Sequence, residues 1–345
     1  MTFQLTQGAK QLAKRVINPF FEYSGANKRQ LNRLRENGCW IIITYHRVIA
    51  DLSMDPYNLE MCVSKDNFYQ HIKFINDTFR IIPMSAGIQK IRDQEPITEP
   101  LVSINFDDGY LDFLEIALPI LQEFNVPSTI YIATGNLINH NELYWWDRVV
   151  YAIANTNTHT LNLSELELAS LDGQLCLRPS NRGNSLRYLL SELWKQTKAD
   201  CFAAINKLEC SLGATAPTSW APRMNLDEIK KVHKAGVEIG GHSIDHHDLT
   251  LLSAQELKRE LMEPKSFFED QLNTQITGFA YPSGKMSDSV KKAVRDANYE
   301  YAASSCRAFN SHESDPFELQ RMMVGNSDLL DLKRCMSDMA AQWSN

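Results

Sequence analysis

The chain has 345 residues, 43% of them apolar, and a formal net charge of -7; it is long enough to bury one large core, and its acidic balance argues against wholesale nucleic-acid binding. No run of about 18 apolar residues occurs, and the N-terminus lacks the compact apolar region of a signal peptide, which predicts a soluble, cytoplasmic protein. Seven cysteines, an odd number without a CxxC pair, read as reduced structural thiols and exclude a disulfide frame or a zinc ribbon.

Residues 1–37 form a separate, basic piece. Seven Lys and Arg stand there against two Glu, and Leu12, Val16, Ile17, Phe20 and Phe21 recur at roughly helical spacing. Such an N-terminal helical extension can pack on the main domain, or make peripheral contact with an anionic membrane. Gly38 then opens the β-branched run CWIIITYHRV, a predicted buried strand that stops at Tyr45-His46-Arg47. Ser64 caps a predicted helix that carries Phe68, Ile72 and Ile75 on one face and runs to about Thr78. A strand over 79–82, a helix over 85–92, the strand beginning at Leu101, a helix over 114–124 and a strand over 128–133 complete an alternation that predicts parallel strands with crossover helices.

Residues 139–223 break this rhythm as a largely helical insertion, because 134 positions between Asp108 and His242 are far more than one crossover needs. The segment contains Tyr144-Trp145-Trp146-Asp147-Arg148, whose aromatic pair either stacks on a sugar ring or anchors a helix. The pattern then resumes with a short strand over 237–239, a helix over 257–272, a strand over 277–281, a helix over 288–297, strands over 301–304 and 319–324, and a C-terminal helix within 325–345. Eight strands centred near residues 41, 80, 103, 130, 238, 279, 302 and 321 suffice to close a (β/α) barrel spanning 38–324. No internal repeat, Walker loop or GxGxxG turn is present, so no nucleotide cradle is predicted.

The chemistry concentrates at strand ends. Asp107 and Asp108 terminate an apolar strand, and two adjacent carboxylates are costly to bury without a cation, a shared proton or good hydrogen bonds. His242 and His246 follow Gly240-Gly241 four residues apart, a spacing that suits chelation. Asp108, His242 and His246 would supply three ligands to a divalent ion, zinc above all, and leave a position open. His46, at the end of the first strand, faces the same end of a barrel and is a further site residue.

These stretches resemble the NodB-like polysaccharide deacetylases, carbohydrate esterase family four. Asn105-Phe106-Asp107-Asp108-Gly109-Tyr110 is similar to that family's first motif, and His242-Ser243-Ile244-Asp245-His246 to its second. The resemblance implies a distorted (β/α) barrel with Asp107 as catalytic base, Asp108, His242 and His246 on the metal, and the backbone N–H of Ser283 serving the oxyanion. It further implies hydrolytic removal of N-acetyl groups from an amino sugar of a polysaccharide, or of a nucleotide- or lipid-linked precursor; an O-acetyl esterase and a non-catalytic carbohydrate-binding descendant are the alternatives. Two motifs depart from the family's pattern. Ala280-Tyr281-Pro282-Ser283-Gly284 lacks the arginine that orients the base, for which Arg223 or Arg47 is expected to stand in. Leu319-Gln320-Arg321 lacks the histidine that serves as general acid, a role that passes to His46. Tyr281, Trp145, Trp146, Arg223 and Arg321 are the expected substrate contacts.

Overall fold

The computed structural model describes residues 38–54, 61–138 and 143–343. The basic extension over residues 1–37 and its expected membrane contact lie outside them. Twelve strands are found among the described residues: β1 (Cys39–Tyr45), β2 (Arg47–Ile49), β3 (Cys62–Ser64), β4 (Arg80–Ile81), β5 (Pro100–Phe106), β6 (Ser128–Ile132), β7 (Thr160–Asn162), β8 (Gln174–Cys176), β9 (Glu238–Gly241), β10 (Gly278–Ala280), β11 (Tyr301–Ala303) and β12 (Met322–Met323).

Eight of these strands form one parallel sheet in the order β11-β10-β9-β6-β5-β1-β12, with β4 paired to β5. They are the eight positions expected from the sequence. β1 and β5 run in register over seven residue pairs, from Cys39 beside Pro100 to Tyr45 beside Phe106, and every residue of both strands is buried. Full burial on both faces is what their near-continuous apolar runs encode. β4 meets the N-terminal half of β5 at Leu101 and Val102, whereas β6 meets the C-terminal half at 104–106, so the two succeed one another along one edge. The end strands are joined through Leu319, which bridges Ala303 and leads in three residues to β12 on β1, and through backbone bonds from the Ala302 N–H to the Pro316 carbonyl and from the Arg321 N–H to the Cys306 carbonyl. This is a curled parallel sheet whose ends meet through a few backbone bonds, the distorted (β/α) barrel that the motifs implied.

Helices cover the sheet where the apolar periodicity predicts them. Lys65–Thr78 starts at Ser64, whose Oγ accepts the Asn67 N–H at 3.2 Å, and buries Phe68, His71, Ile72 and Ile75. Ala254–Leu272 begins with a Ser253/Glu256 capping box, three residues earlier than the sequence suggests, and tolerates Pro264 inside. The segment over 114–124 differs from expectation: Phe113–Ala117 is a π turn, and only Leu118–Glu123 is regular α-helix, because Pro119 enters at its first turn. Leu329–Trp343 is the C-terminal helix.

The insertion has a core of its own. The Trp145–Asn155, Arg182–Leu193 and Lys198–Leu212 helices bury Val149, Ile153, Leu186, Leu189, Ile205 and Leu208 against one another and against the antiparallel β7–β8 pair. Arg148 locks the first of these helices to the third through a bidentate pair with Glu209 at 3.0 and 2.7 Å. The seven cysteines are all free thiols, as their spacing predicts.

Candidate active site

The carboxylates sit where β5 ends. Asp108 and Gly109 both have positive φ, 76° and 77°, and a Cβ on Gly109 would lie 2.8 Å from the Ile132 side chain. Glycine is needed there so that the chain can turn tightly after a strained aspartate. The turn points the Asp108 carboxylate inward, with His242 Nε2 3.5 Å and His246 Nε2 3.4 Å from its Oδ1.

The histidines are held with equal care. His242 Nδ1 donates to the Ala280 carbonyl at 2.8 Å, which fixes the tautomer and leaves Nε2 as a lone-pair donor. His246 sits at φ 53°, and its N–H is capped by Ser243 Oγ at 2.9 Å. Burial, followed by the neighbouring His242, pushes the His246 imidazole down to about 3, so it is neutral at physiological pH. The loop between them is tied down by Glu260, a buried residue of the Ala254–Leu272 helix whose Oε2 accepts the N–H groups of Ile244 and Asp245 at 2.8 and 3.1 Å.

These residues fit a divalent ion. The ligand atoms of Asp108, His242 and His246 lie within 4.8 Å of one another. Both Asp108 oxygens are buried without a hydrogen-bond donor, an expensive arrangement for a carboxylate unless a cation completes it. Two imidazole nitrogens and one carboxylate oxygen are a donor set of the zinc type. Replacing His242 or His246 by alanine is therefore expected to reduce bound metal from about one ion per chain to a trace; elemental analysis finding undiminished metal in both variants removes the site.

Asp107 lies beside this cluster in a different environment. Its two oxygens accept from Arg321 Nη1 at 2.8 Å and Nη2 at 2.9 Å, and Arg321 Nε donates to the Ser304 carbonyl at 2.7 Å. Burial opposes ionisation of Asp107, but the Arg321 guanidinium, then His242 and His46, offset it and hold the carboxyl below its usual range. This corrects two expectations. Arg321, expected on substrate, is committed to Asp107, and neither Arg47 nor Arg223 stands in for the missing arginine. Arg47 pairs with Asp112 at 2.9 Å, while Arg223 lies over the Tyr144 ring, 4.2 Å from its centroid, and is not among the residues lining the cleft. His46 does reach the site, with Nε2 4.0 Å from Asp107 Oδ2.

The aromatic stretch of the insertion serves first as an anchor. The Tyr144 hydroxyl donates to the Asp108 carbonyl at 2.7 Å, and Trp146 Nε1 donates to the Tyr110 hydroxyl, which donates in turn to Asp147. Trp146 also packs on His246 at a centroid distance of 4.6 Å, and Trp194 from the next helix packs on it at 5.7 Å. Trp145 and Trp146 are only 3% and 7% exposed, yet both line the cleft above Asp107. That cleft, of about 530 Å³, is also lined by His46, Tyr281, Ser283 and Arg321. Tyr281 contributes its ring, since its hydroxyl donates to the Phe317 carbonyl. Ser283 is at φ 53° and its carbonyl accepts from Ser305, which fixes the turn at the cleft floor.

Residues 94–175 and 195–302 match the family model for polysaccharide deacetylases. The chain belongs to the polysaccharide deacetylase family. The break between the two matched blocks falls inside the insertion. Among curated proteins, this polysaccharide deacetylase homologue is 20% identical over 285 residues to YxkH of Bacillus subtilis (strain 168), covering 82% of this chain and 70% of that one. A 72-residue stretch is 32% identical to the peptidoglycan-N-acetylglucosamine deacetylase of Bacillus cereus, covering 21% of this chain and 33% of that one. Among solved structures, the fold is similar to the Streptococcus pyogenes deacetylase PplD in complex with acetate, at a TM-score of 0.57 and 17% identity over 86% of this chain and 98% of that one. IcaB from Ammonifex degensii gives a TM-score of 0.54 and 13% identity over 88% and 98% of the two chains.

Proposed function

We propose that the protein is a zinc-dependent hydrolase that removes N-acetyl groups from an amino sugar of a glycan or glycan precursor. One observation carries the reading: Asp107, oriented by Arg321, faces the same cleft as His242 and His246 of the Asp108/His242/His246 cluster. A bound divalent ion would polarise the acetyl carbonyl and acidify water. Asp107 then takes the proton of the attacking water, a role for which a fixed, deprotonated carboxylate is suited. The backbone N–H of Ser283, in the turn at the cleft floor, is the proposed donor to the developing oxyanion. His46 delivers a proton to the departing amine, which an alcohol leaving group needs less. Trp145, Trp146 and Tyr281 offer ring faces to the sugar.

The test is acetate release from a panel of N- and O-acetylated saccharides by the metal-loaded protein. N-acetyl substrates are expected to be cleaved, and release from O-acetyl esters alone would replace this reading by that of an esterase. His46 carries its own signature. Burial lowers its pKa, outweighing the opposing effect of Asp108 and Asp107, and a cation in the neighbouring cluster would act in the same direction. The protonated acid is thus lost as pH rises through a value below the usual histidine range, so kcat is expected to fall on the basic side from there. His46→Gln should abolish that limb and depress N-acetyl turnover more than O-acetyl turnover; an unchanged pH profile removes His46 from the mechanism.

A further inference from the structure

The walls of the cleft divide by chemistry. Among the described residues, every acidic, basic or imidazole side chain that lines it (His46, Asp107, His242, His246 and Arg321) belongs to the reaction centre. The remainder of the lining is apolar or aromatic apart from Ser191, Ser283 and Ser305. Apart from Trp145 and Trp146, whose rings are assigned to the sugar, the insertion supplies Val150, Leu190 and Trp194, and Met61 and Met323 join them from the barrel side, Met323 with 37% of its surface exposed.

This distribution bears on what can be attached to the acetylated sugar. A glycan chain carries an oxygen or nitrogen on nearly every ring carbon, and burying its hydroxyl and amide groups against such a wall without partners is unfavourable. A nucleoside diphosphate needs cations for its phosphates, and the one permanently cationic side chain among the described lining residues, Arg321, is already bidentate on Asp107. An alkyl chain meets neither objection, and its burial against Leu, Val, Met and Trp is favourable by about 0.8 kcal/mol per methylene. The apolar wall and the reaction centre line the same cleft, so a group attached to the sugar that Asp107 works on can reach that wall. Resting on the deacetylase reading above, we infer that the substrate is amphiphilic: an acetylated amino sugar joined to an alkyl chain, with the insertion serving as the wall that binds the chain.

Calorimetric binding to the metal-loaded, full-length Asp107→Asn protein tests this without turnover. The probes are methyl and octyl glycosides of N-acetylglucosamine, the N-acetylglucosamine tetramer, the uridine diphosphate conjugate of the same sugar, and octyl glucoside as a chain without the acetamido group. The octyl N-acetylglucosaminide is expected to bind at least ten-fold more tightly than the methyl glycoside, the tetramer, the nucleotide conjugate and octyl glucoside. Leu190→Gln and Met323→Gln should each shrink the octyl-to-methyl ratio several-fold while circular dichroism stays native. Equal affinity for the octyl and methyl glycosides overturns the inference, as does tightest binding of the tetramer or the nucleotide sugar, or octyl glucoside binding as well as its acetamido counterpart. Acetate release from the methyl glycoside by the unsubstituted enzyme reports separately on the deacetylase reading, so the two fail in different experiments.

Discussion

Asp107→Asn is expected to lower acetate release by about 10² or more, the usual weight of a positioned general base, while leaving the bound metal in place. The separation follows from the geometry, because Asp107 is held by Arg321 and Asp108 is turned toward the two imidazoles. The amide keeps the volume of the carboxylate and loses only its basicity and charge. The experiment needs turnover and metal content measured on the same preparations of Asp107→Asn and Asp108→Asn. Loss of metal from the first variant with retention in the second would falsify the division of roles between the neighbours.

The second large effect is on stability. Arg321→Met is expected to destabilise the fold by about 3–5 kcal/mol, the range for removing one partner of a buried ion pair, because Asp107 then keeps only the weaker influence of His242 and His46 against its burial. Relief by Asp107→Asn in the Arg321→Met background should distinguish a stranded charge from a lost packing contact: the double variant is expected to be more stable than Arg321→Met alone by equilibrium denaturant unfolding. Strictly additive losses would mean that the arginine acts through its bulk. Arg321→Lys is not a mild control, since a lysine cannot reproduce the two parallel bonds to Asp107 together with the bond to the Ser304 carbonyl.

Much of this arrangement is legible in the sequence because it is local. Asp107 and Asp108 are adjacent at a strand end, His242 and His246 lie four residues apart after a strand, and the eight sheet strands announce themselves as short apolar runs between turn residues. What escapes is long-range pairing between types that have many uses. Nothing in Leu319-Gln320-Arg321 says that the guanidinium meets Asp107, and an arginine in place of a histidine reads more naturally as a substrate contact. Tyr144 reads as part of an aromatic cluster, and only the fold brings its hydroxyl to the Asp108 carbonyl. Glu260 looks like one more charge on an amphipathic helix until its carboxylate is found beneath the Ile244 and Asp245 amides. The last strand is legible as well, but its length is not: the strand expected over 319–324 pairs regularly only at Met322–Met323.

The placement of Arg321 also sets an order of events during synthesis. The pair it forms with Asp107 spans 214 positions of sequence, so a nascent chain carries the base strand for most of translation before the matching cation leaves the ribosome. Until then Asp107 must stay hydrated or take up a proton, which disfavours settling the top of β5 into a dry interior. The same late segment supplies Leu319 and β12, the links that join the two ends of the sheet. Closure of the barrel and burial of the base therefore become one terminal step, made by residues 319–323 after every other strand has been synthesised. Ribosome-bound chains halted before that segment are predicted to hold a folded insertion, whose core is local in sequence, beside an open and protease-sensitive sheet.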